Sequence, residues 1–516
     1  MKMKRILAFA LAGVMSISLL VGCGKSETKK KVGNSTTDIE IAYWNSGLGT
    51  EWLEAMIEGF EKKYPEYNVT YSQSASVSAV VSAKGLEDID TVDLYLAMND
   101  YGTSSLEPLD DVLDSILEGE TKSIREKLNP NYLDLEQNAD GHVYSLSYGG
   151  GIIGFVYSIE LFEKAGITQL PRTTDELALV CDTLHKKGIT PICHFKDGGY
   201  YEFLSEALFA QYNGLDYYLN SFYGCKDENG NEDISLDLLT RKDGRYEALK
   251  AYEKFVKPEY VLTGSNTSDH TFMQTEFLYG NCAMMVSGSW LSNEMEDSGG
   301  AENFVMMKLP VISSITDNLE TVKKESQLRK VITAVDNVTD GNKSVDDYKQ
   351  GDNYVVDDLT ISAADWEAVR KARNTMAANH SGDSAYIPAY SNAKEGAKEF
   401  LKYLYSDEGI EIYSQSLKVV LPLTNEVLDK VDTSGWNDFE KSQVDLLKTT
   451  EQFATYYNRQ KHSLFINGGA SSYGARQYIS YLCNRNEGDR KNADQVWTSI
   501  TGYMEGQYDG WLSNIK

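Results

Sequence analysis

The sequence predicts an α/β fold with a largely parallel sheet, laid out in more than one unit. Three observations carry this. Strand-like segments alternate with amphipathic helices, the alternation restarts after a run of glycines at 149–151, and the chain of 516 residues exceeds what one domain ordinarily holds.

Each element can be justified in order. Ile39-Glu40-Ile41-Ala42-Tyr43-Trp44 alternates as a strand, and residues 45–50 turn. Trp52, Leu53, Met56, Ile57, Phe60 and Tyr64 share one helical face, and Pro65 stops that helix. Val69-Thr70-Tyr71 starts a second strand and residues 93–98 a third. Beyond the glycines, residues 152–157 form an apolar run, and a short helix at 161–165 ends at Gly166. Thr173 stands where it can cap a helix, with Glu176 as its reciprocal partner three residues on. Leu177, Val180, Cys181 and Leu184 supply that helix's buried stripe, Gly188 ends it, and residues 189–195 return as a strand. Residues 315–375 are charged and weakly periodic, and read as a peripheral insertion with a helix at 365–374. Asn392 is placed to cap a helix carrying Ala397, Phe400, Leu401 and Leu404, and the remainder is mostly helical.

The N-terminus carries an address. Lys2, Lys4 and Arg5 precede an apolar stretch, residues 6–20, which is short of the ~20 residues a membrane span needs and fits a signal peptide. It ends in Leu20-Val21-Gly22-Cys23, which resembles a bacterial lipobox. Residues 1–22 are therefore expected to be a lipoprotein signal peptide, Cys23 the lipid anchor, and polar residues 23–37 a flexible tether. The expected location is the outer face of a cell membrane, held through the lipid alone.

Composition narrows the partners. Net charge is -28, which argues against nucleic acid or anionic lipid, since both need clustered cations. Of six cysteines, Cys23 belongs to the anchor; the other five make no CxxC pair and are expected to be buried thiols, with one unassigned bridge left open. The run 149–154 satisfies G-x-G-x-x-G, but a strand rather than a helix follows, so a dinucleotide site is not expected. The six histidines are scattered without zinc-ligand spacing, and no GxSxG elbow occurs. No cofactor, metal or catalytic residue is expected. Thirty-four tyrosines and seven tryptophans suit wet clefts and sugar faces.

Three segments, in order, are similar to the extracellular solute-binding proteins of bacterial ABC importers, in the branch that resembles maltose-binding protein. The first is Gly154-Phe155-Val156-Tyr157-Ser158 with Lys164-Ala165-Gly166, then Pro171-Arg172-Thr173 and Gly188-Ile189-Thr190-Pro191; Ser158 stands where the family usually has Asn. The second is Gly280-Asn281-Cys282-Ala283-Met284, followed by Gly288-Ser289-Trp290. The third spans 393–413 and contains Gly396-Ala397-Lys398-Glu399-Phe400.

The resemblance implies two α/β lobes joined by hinge strands and closing on a ligand. The N-terminal lobe is expected at 38–148 plus about 376–420, and the C-terminal lobe at 149–314 plus about 421–516. Ligands in such folds lie at the carboxyl ends of strands. The expected ligand residues are therefore Trp44 and Asn45 at the first strand end, Asn99 and Asp100 at the third, Tyr148 near the first crossover, Tyr201 after Gly198-Gly199, Trp290 by its motif position, and Asp383 near the second crossover. His380 and Tyr386 lie beside the last of these, and Trp436 belongs either to the cleft or to the terminal helices. The implied function is capture of a small polar solute, a carbohydrate by the aromatic placement, by a monomer that serves ABC permease subunits. A secreted carbohydrate-active enzyme and a surface sensor or adhesive lipoprotein remain open alternatives.

Overall fold

The computed structural model describes residues 35–45, 47–73, 92–97, 105–138, 140–149, 151–295, 303–378, 383–455, 462–466, 470 and 478–515. Cys23, Asn99, Asp100 and His380 lie outside them. No helix among the described residues is long and apolar enough to cross a membrane.

Two larger sheets organise the chain. The first takes β1 (Asp38–Tyr43), β2 (Asn68–Gln73), β3 (Leu94–Ala97), β4 (Leu146–Ser147) and, from far along the chain, β13 (Ser384–Tyr386), in the order β2-β1-β3-β13-β4. The second takes β5 (Ile152–Ser158), β6 (Ile192–Cys193), β7 (Met284–Gly288), β12 (Thr375–Ala378) and β14 (Gln452–Ala454) in the order β14-β12-β5-β7-β6, with β8 (Phe304–Met306) also paired to β5. A small ribbon of β9 (Lys349–Gln350), β10 (Asn353–Val356) and β11 (Leu359–Ser362) stands apart.

Both larger sheets are mixed, where the sequence suggested mostly parallel ones. β1 runs parallel to β2 and β3. β13, however, enters between β3 and β4 antiparallel to both, because the chain arrives from the other sheet. In the second sheet β5 is antiparallel to β12, β7 and β8, while β12 and β14, and β6 and β7, are parallel. β12 also moves a boundary. Met376, Ala377 and Ala378 belong to the second sheet, so the return to the first sheet comes after them.

Local chemistry explains the helices. Helix Glu51–Lys63 buries Trp52, Leu53, Met56 and Phe60 and places two acids at its start and two lysines at its end, matching its dipole. Helix Ile159–Ala165 is capped by Ser158, whose hydroxyl accepts from the Leu161 amide at 3.3 Å. Thr173 caps Thr174–Lys186 through the Glu176 amide at 3.2 Å. The reciprocal bond is absent because Glu176 turns to Arg172, taking its amide at 2.8 Å and its guanidinium at 2.6 Å. Lys394–Leu404 begins after Ala393 with no side-chain cap, one residue beyond the expected Asn392.

The 315–375 block is less peripheral than expected. Its helix Glu325–Thr339 lies on Ala363–Arg373, and Tyr354 stacks on the buried Trp366 ring at 4.5 Å and 8°. Arg373 grips Asp336 through two bonds of 2.8 and 3.0 Å and also donates to the Leu309 carbonyl. Thr173 donates to Glu325 at 2.8 Å. The block is thereby fixed to the flank of the second sheet.

Candidate functional site

The chain crosses between the two sheets along neighbouring paths. Outbound, β4 ends at Ser147, Tyr148 and Gly149 follow, and β5 begins at Ile152. Inbound, β12 ends at Ala378, and Asp383 precedes β13. The Asp383 carbonyl accepts from the Tyr148 amide at 2.9 Å and from the Gly149 amide at 3.4 Å. Two glycines make the approach possible. A Cβ at Gly149 would sit 2.3 Å from Asp383 Cβ, and one at Gly151 would sit 1.9 Å from Ser289 Oγ. A third crossing follows helix Asp407–Leu417, where the Pro422 carbonyl accepts from the Asn129 amide at 2.9 Å.

Aromatic side chains line the first sheet's side. Trp44, whose amide bonds the Leu96 carbonyl at 2.9 Å, packs with Tyr144 and Tyr390 on a small cluster that includes Ala42, Tyr95 and Tyr386. Tyr95 and Tyr386 stack at 5.2 Å and 5°, directly opposed across β3 and β13. Asn45 shapes the loop beside them. Its Oδ1 accepts from the Gly47 and Gly49 amides at 3.2 and 3.0 Å, an Asx turn that leaves the amide nitrogen for other work.

The second sheet answers with Trp290. Its ring folds back over the end of β7, so closely that a Cβ at Gly288 would lie 2.3 Å from it, and its edge meets Tyr200 at 5.1 Å and 72°. The Trp290 indole N–H and the Ser289 hydroxyl are buried without a hydrogen-bond partner among the described residues. Both are open to a further bond, as are the buried Tyr148, Tyr201 and Tyr413 hydroxyls elsewhere in the molecule. One turn later, Glu294 crosses the gap: a Cβ at Gly47 would lie 2.7 Å from its Cγ. Gln274, fully buried on helix His270–Leu278, donates to Glu294 Oε2 at 2.8 Å. Burial raises the Glu294 pKa, with Gln274 and His270 acting against it.

Trp44 and Asn45 follow β1 of the first sheet and Trp290 follows β7 of the second, and Gly47 and Glu294 bring these two segments together. Tyr148 lies deeper than the sequence suggested, stacked on Trp52 at 5.5 Å and 25° in the first sheet's core. Asp383 is buried at the crossover, its charge felt by Tyr148, Tyr43 and Tyr413, whose pKa values are raised first by burial. Tyr201 differs most from expectation. It points into the body behind the second sheet, edge-on to Phe155 at 6.1 Å and Tyr252 at 5.5 Å, while its neighbour Tyr200 meets Trp290. Adjacent residues at a helix start diverge by ~100°, so one of the pair turns inward. Trp436 lies with Glu440 and Gln443 around a narrow cavity next to Gly151 and Ser289.

Glu294 and Gln274 were missed by sequence reasoning. Glu294 was findable, since four residues after Trp290 lies on the same helical face. Gln274 had no such signal, because its partner is 20 residues away. Among the described residues, no three His, Cys, Asp or Glu side chains converge to hold a metal ion.

Residues 46–411 match the family described as bacterial extracellular solute-binding protein. An ABC transporter extracellular-binding protein of Pyrococcus horikoshii is 23% identical over 343 residues, covering 61% of this chain and 71% of that protein. Among solved structures, the sugar-binding protein MalE from Xanthomonas citri superposes with a TM-score of 0.61 at 14% identity, over 93% of this chain and 100% of that one. RafE from Streptococcus pneumoniae gives 0.55 at 15% identity, over 93% and 100%. The solute receptor AcbH, with its preference for β-D-galactopyranose, gives 0.59 at 12% identity, over 92% and 100%. These likenesses fix the fold as that of two-lobed receptors, and the match to the family covers most of the sequence. The chain belongs to the bacterial extracellular solute-binding proteins.

Proposed function

We propose that this protein reversibly captures a sugar or oligosaccharide between its two lobes and delivers it to the permease subunits of an ABC importer. It works as a monomer tethered to the outer face of the membrane by a lipid on Cys23. In this reading the first lobe comprises residues 38–148 and about 383–420, and the second the remainder from 149, including 315–375. Trp44 and Asn45 face Trp290 across the cleft, and closure about the three crossings buries the ligand. The loaded, closed form then differs in shape from the empty one, which gives a permease something to recognise.

The observation that carries the reading is Trp290: a buried indole, edge-packed on Tyr200, with its N–H unpartnered among the described residues, four residues before the Glu294 that meets the Gly47 loop. A sugar ring offers the apolar face and the acceptor oxygen that such a group lacks. The test is a thermal-shift screen of mono- and oligosaccharides, since a ligand bound only by the folded state raises Tm. A sugar is expected to raise Tm in the wild type and to lose that effect in Trp290→Ala. Stabilisation by another solute class alone would overturn the carbohydrate assignment, and shortened oligosaccharides after incubation would convert the reading to an enzyme.

A further inference from the structure

Resting on that reading, we infer that Glu294 is a ligand-facing acceptor that sets the charge class of the solute, admitting neutral and amino sugars and rejecting sugar acids and sugar phosphates. Four observations place it there. Its amide bonds the Trp290 carbonyl at 2.9 Å, which puts both side chains on one short helical turn. Its Cγ and Oε1 press on Gly47, so the loop that ends β1 closes over it. Gln274, itself fully buried, holds Oε2 at 2.8 Å and fixes the carboxyl's direction. Among the described residues, no Lys or Arg makes an ion pair with it.

The chemistry follows from charge in a low-dielectric site. A carboxylate accepts hydrogen bonds from sugar hydroxyls, and charge makes those bonds about twice as strong as neutral ones. It attracts an ammonium. A second anion brought beside it loses its hydration and gains only repulsion, which the closed site screens poorly. Receptors for anionic solutes meet this with arginine or lysine; here a held carboxylate stands beside the indole instead. Gln274 is a positioning residue: its Nε2 is committed to Glu294, and its Oε1 has no partner among the described residues, leaving it an acceptor for a ligand hydroxyl.

The experiment measures Kd by calorimetry at pH 7 for matched neutral, amino and uronic-acid forms of glucose and galactose, with wild type and Glu294→Gln. The carboxamide introduced by Glu294→Gln still offers an oxygen to the Gln274 amide, so the pair's geometry is kept. In the wild type the neutral form is expected to bind at least ~100-fold more tightly than its acid. In Glu294→Gln that ratio falls at least ~10-fold, and the amino sugar loses its advantage. Should the variant fail to fold, the wild type alone decides. Its neutral-to-acid ratio falls as pH is lowered and Glu294 takes up a proton, which burial makes easier than for a free carboxyl. Ionisable groups on the elements around it include His270 on the helix carrying Gln274, Glu51 beside Gly49 in the Gly47–Gly49 loop, and Glu440, which accepts from the Ser292 hydroxyl at 3.2 Å. A ratio unchanged by both the variant and pH, or an acid binding more tightly than its neutral form, overturns the role of Glu294. Absence of binding by every sugar in the wild type overturns the carbohydrate reading instead.

Discussion

The amide of Tyr148 donates to the carbonyl of Asp383 at 2.9 Å, which ties the outbound and returning crossings at one point. Tyr148 is in turn stacked on Trp52, whose indole N–H donates to the Tyr43 hydroxyl at 3.1 Å. The pivot between the sheets is therefore anchored in the first sheet's aromatic core. Motion about it is expected to carry that core as a rigid piece.

Crowding at the pivot gives the first prediction. Gly151→Ala places a methyl 1.9 Å from Ser289 Oγ and 2.7 Å from Ser289 Cβ, on the path between the lobes. Overpacking of this kind costs about 1–3 kcal/mol. Thermal unfolding should show a lower Tm for Gly151→Ala, and Ser289→Gly in the same chain should restore part of it. An unchanged Tm would mean that the crossing has room the geometry denies.

The two adjacent tyrosines should separate cleanly. Tyr200→Ala removes the ring against which Trp290 packs, and sugar affinity is expected to fall about 10-fold, near the 1.4 kcal/mol of one aromatic contact. Tyr201→Phe deletes a buried hydroxyl without a described partner. Sugar affinity should be unchanged and stability equal or slightly higher, because no hydrogen bond is lost. Calorimetry on both variants checks this, and the reverse pattern would restore Tyr201 to the cleft.

Glu206 makes a prediction about pH. It is buried behind the second sheet, accepts from the Tyr223 hydroxyl at 2.8 Å, and burial pushes its pKa from 4.5 to about 7 against the pull of Tyr223, Tyr218 and Arg245. The folded state thus holds this proton more tightly than the unfolded chain. Its contribution is fully present below pH ~4.5 and is lost as pH rises to about 7, a change of about 3 kcal/mol. Glu206→Gln keeps the acceptor and stays neutral. Relative to wild type it should gain stability between those pH values and hold the gain above them, as read by urea unfolding from pH 4 to pH 8. His194 works in the opposite sense: burial lowers its pKa to about 4, so its contribution is lost as pH falls from 6.5. The wild-type-minus-variant difference isolates Glu206 from it.

The lipid anchor proposed at Cys23 predicts a change of address. Cells making Cys23→Ser should release the protein from the membrane fraction, and incorporation of labelled palmitate should disappear. Retention of both would remove Cys23 as the site of acylation.

Much of the frame was legible because periodicity and punctuation are local. The buried stripe of helix Glu51–Lys63, the Gly166 end of the next helix and the Thr173 cap all follow from neighbours within a few residues. The five described cysteines are buried free thiols, as their number and spacing suggested. What escaped was long-range. Nothing near Ser384 says that it pairs with Ala97 and Ser147, so the antiparallel insertion of β13 was invisible. Within the candidate site, Trp44 was expected from its place at a strand end and Trp290 from its motif position, but the direction of Tyr201 depends on a helix start that one residue's shift would reverse. Glu294 and Gln274 needed the tertiary contact itself.

The order in which strands enter the sheets has a consequence for biogenesis. The first sheet lacks an interior strand until β13 at Ser384–Tyr386 exists, and the second lacks an edge until β14 at Gln452–Ala454. A chain emerging N-terminus first cannot complete either sheet before most of its length is out. Such non-local pairing makes folding slow, because loop closure must precede the contacts that reward it. For a protein threaded through a translocation channel, that delay keeps the chain loose while it moves and lets it become compact only on arrival.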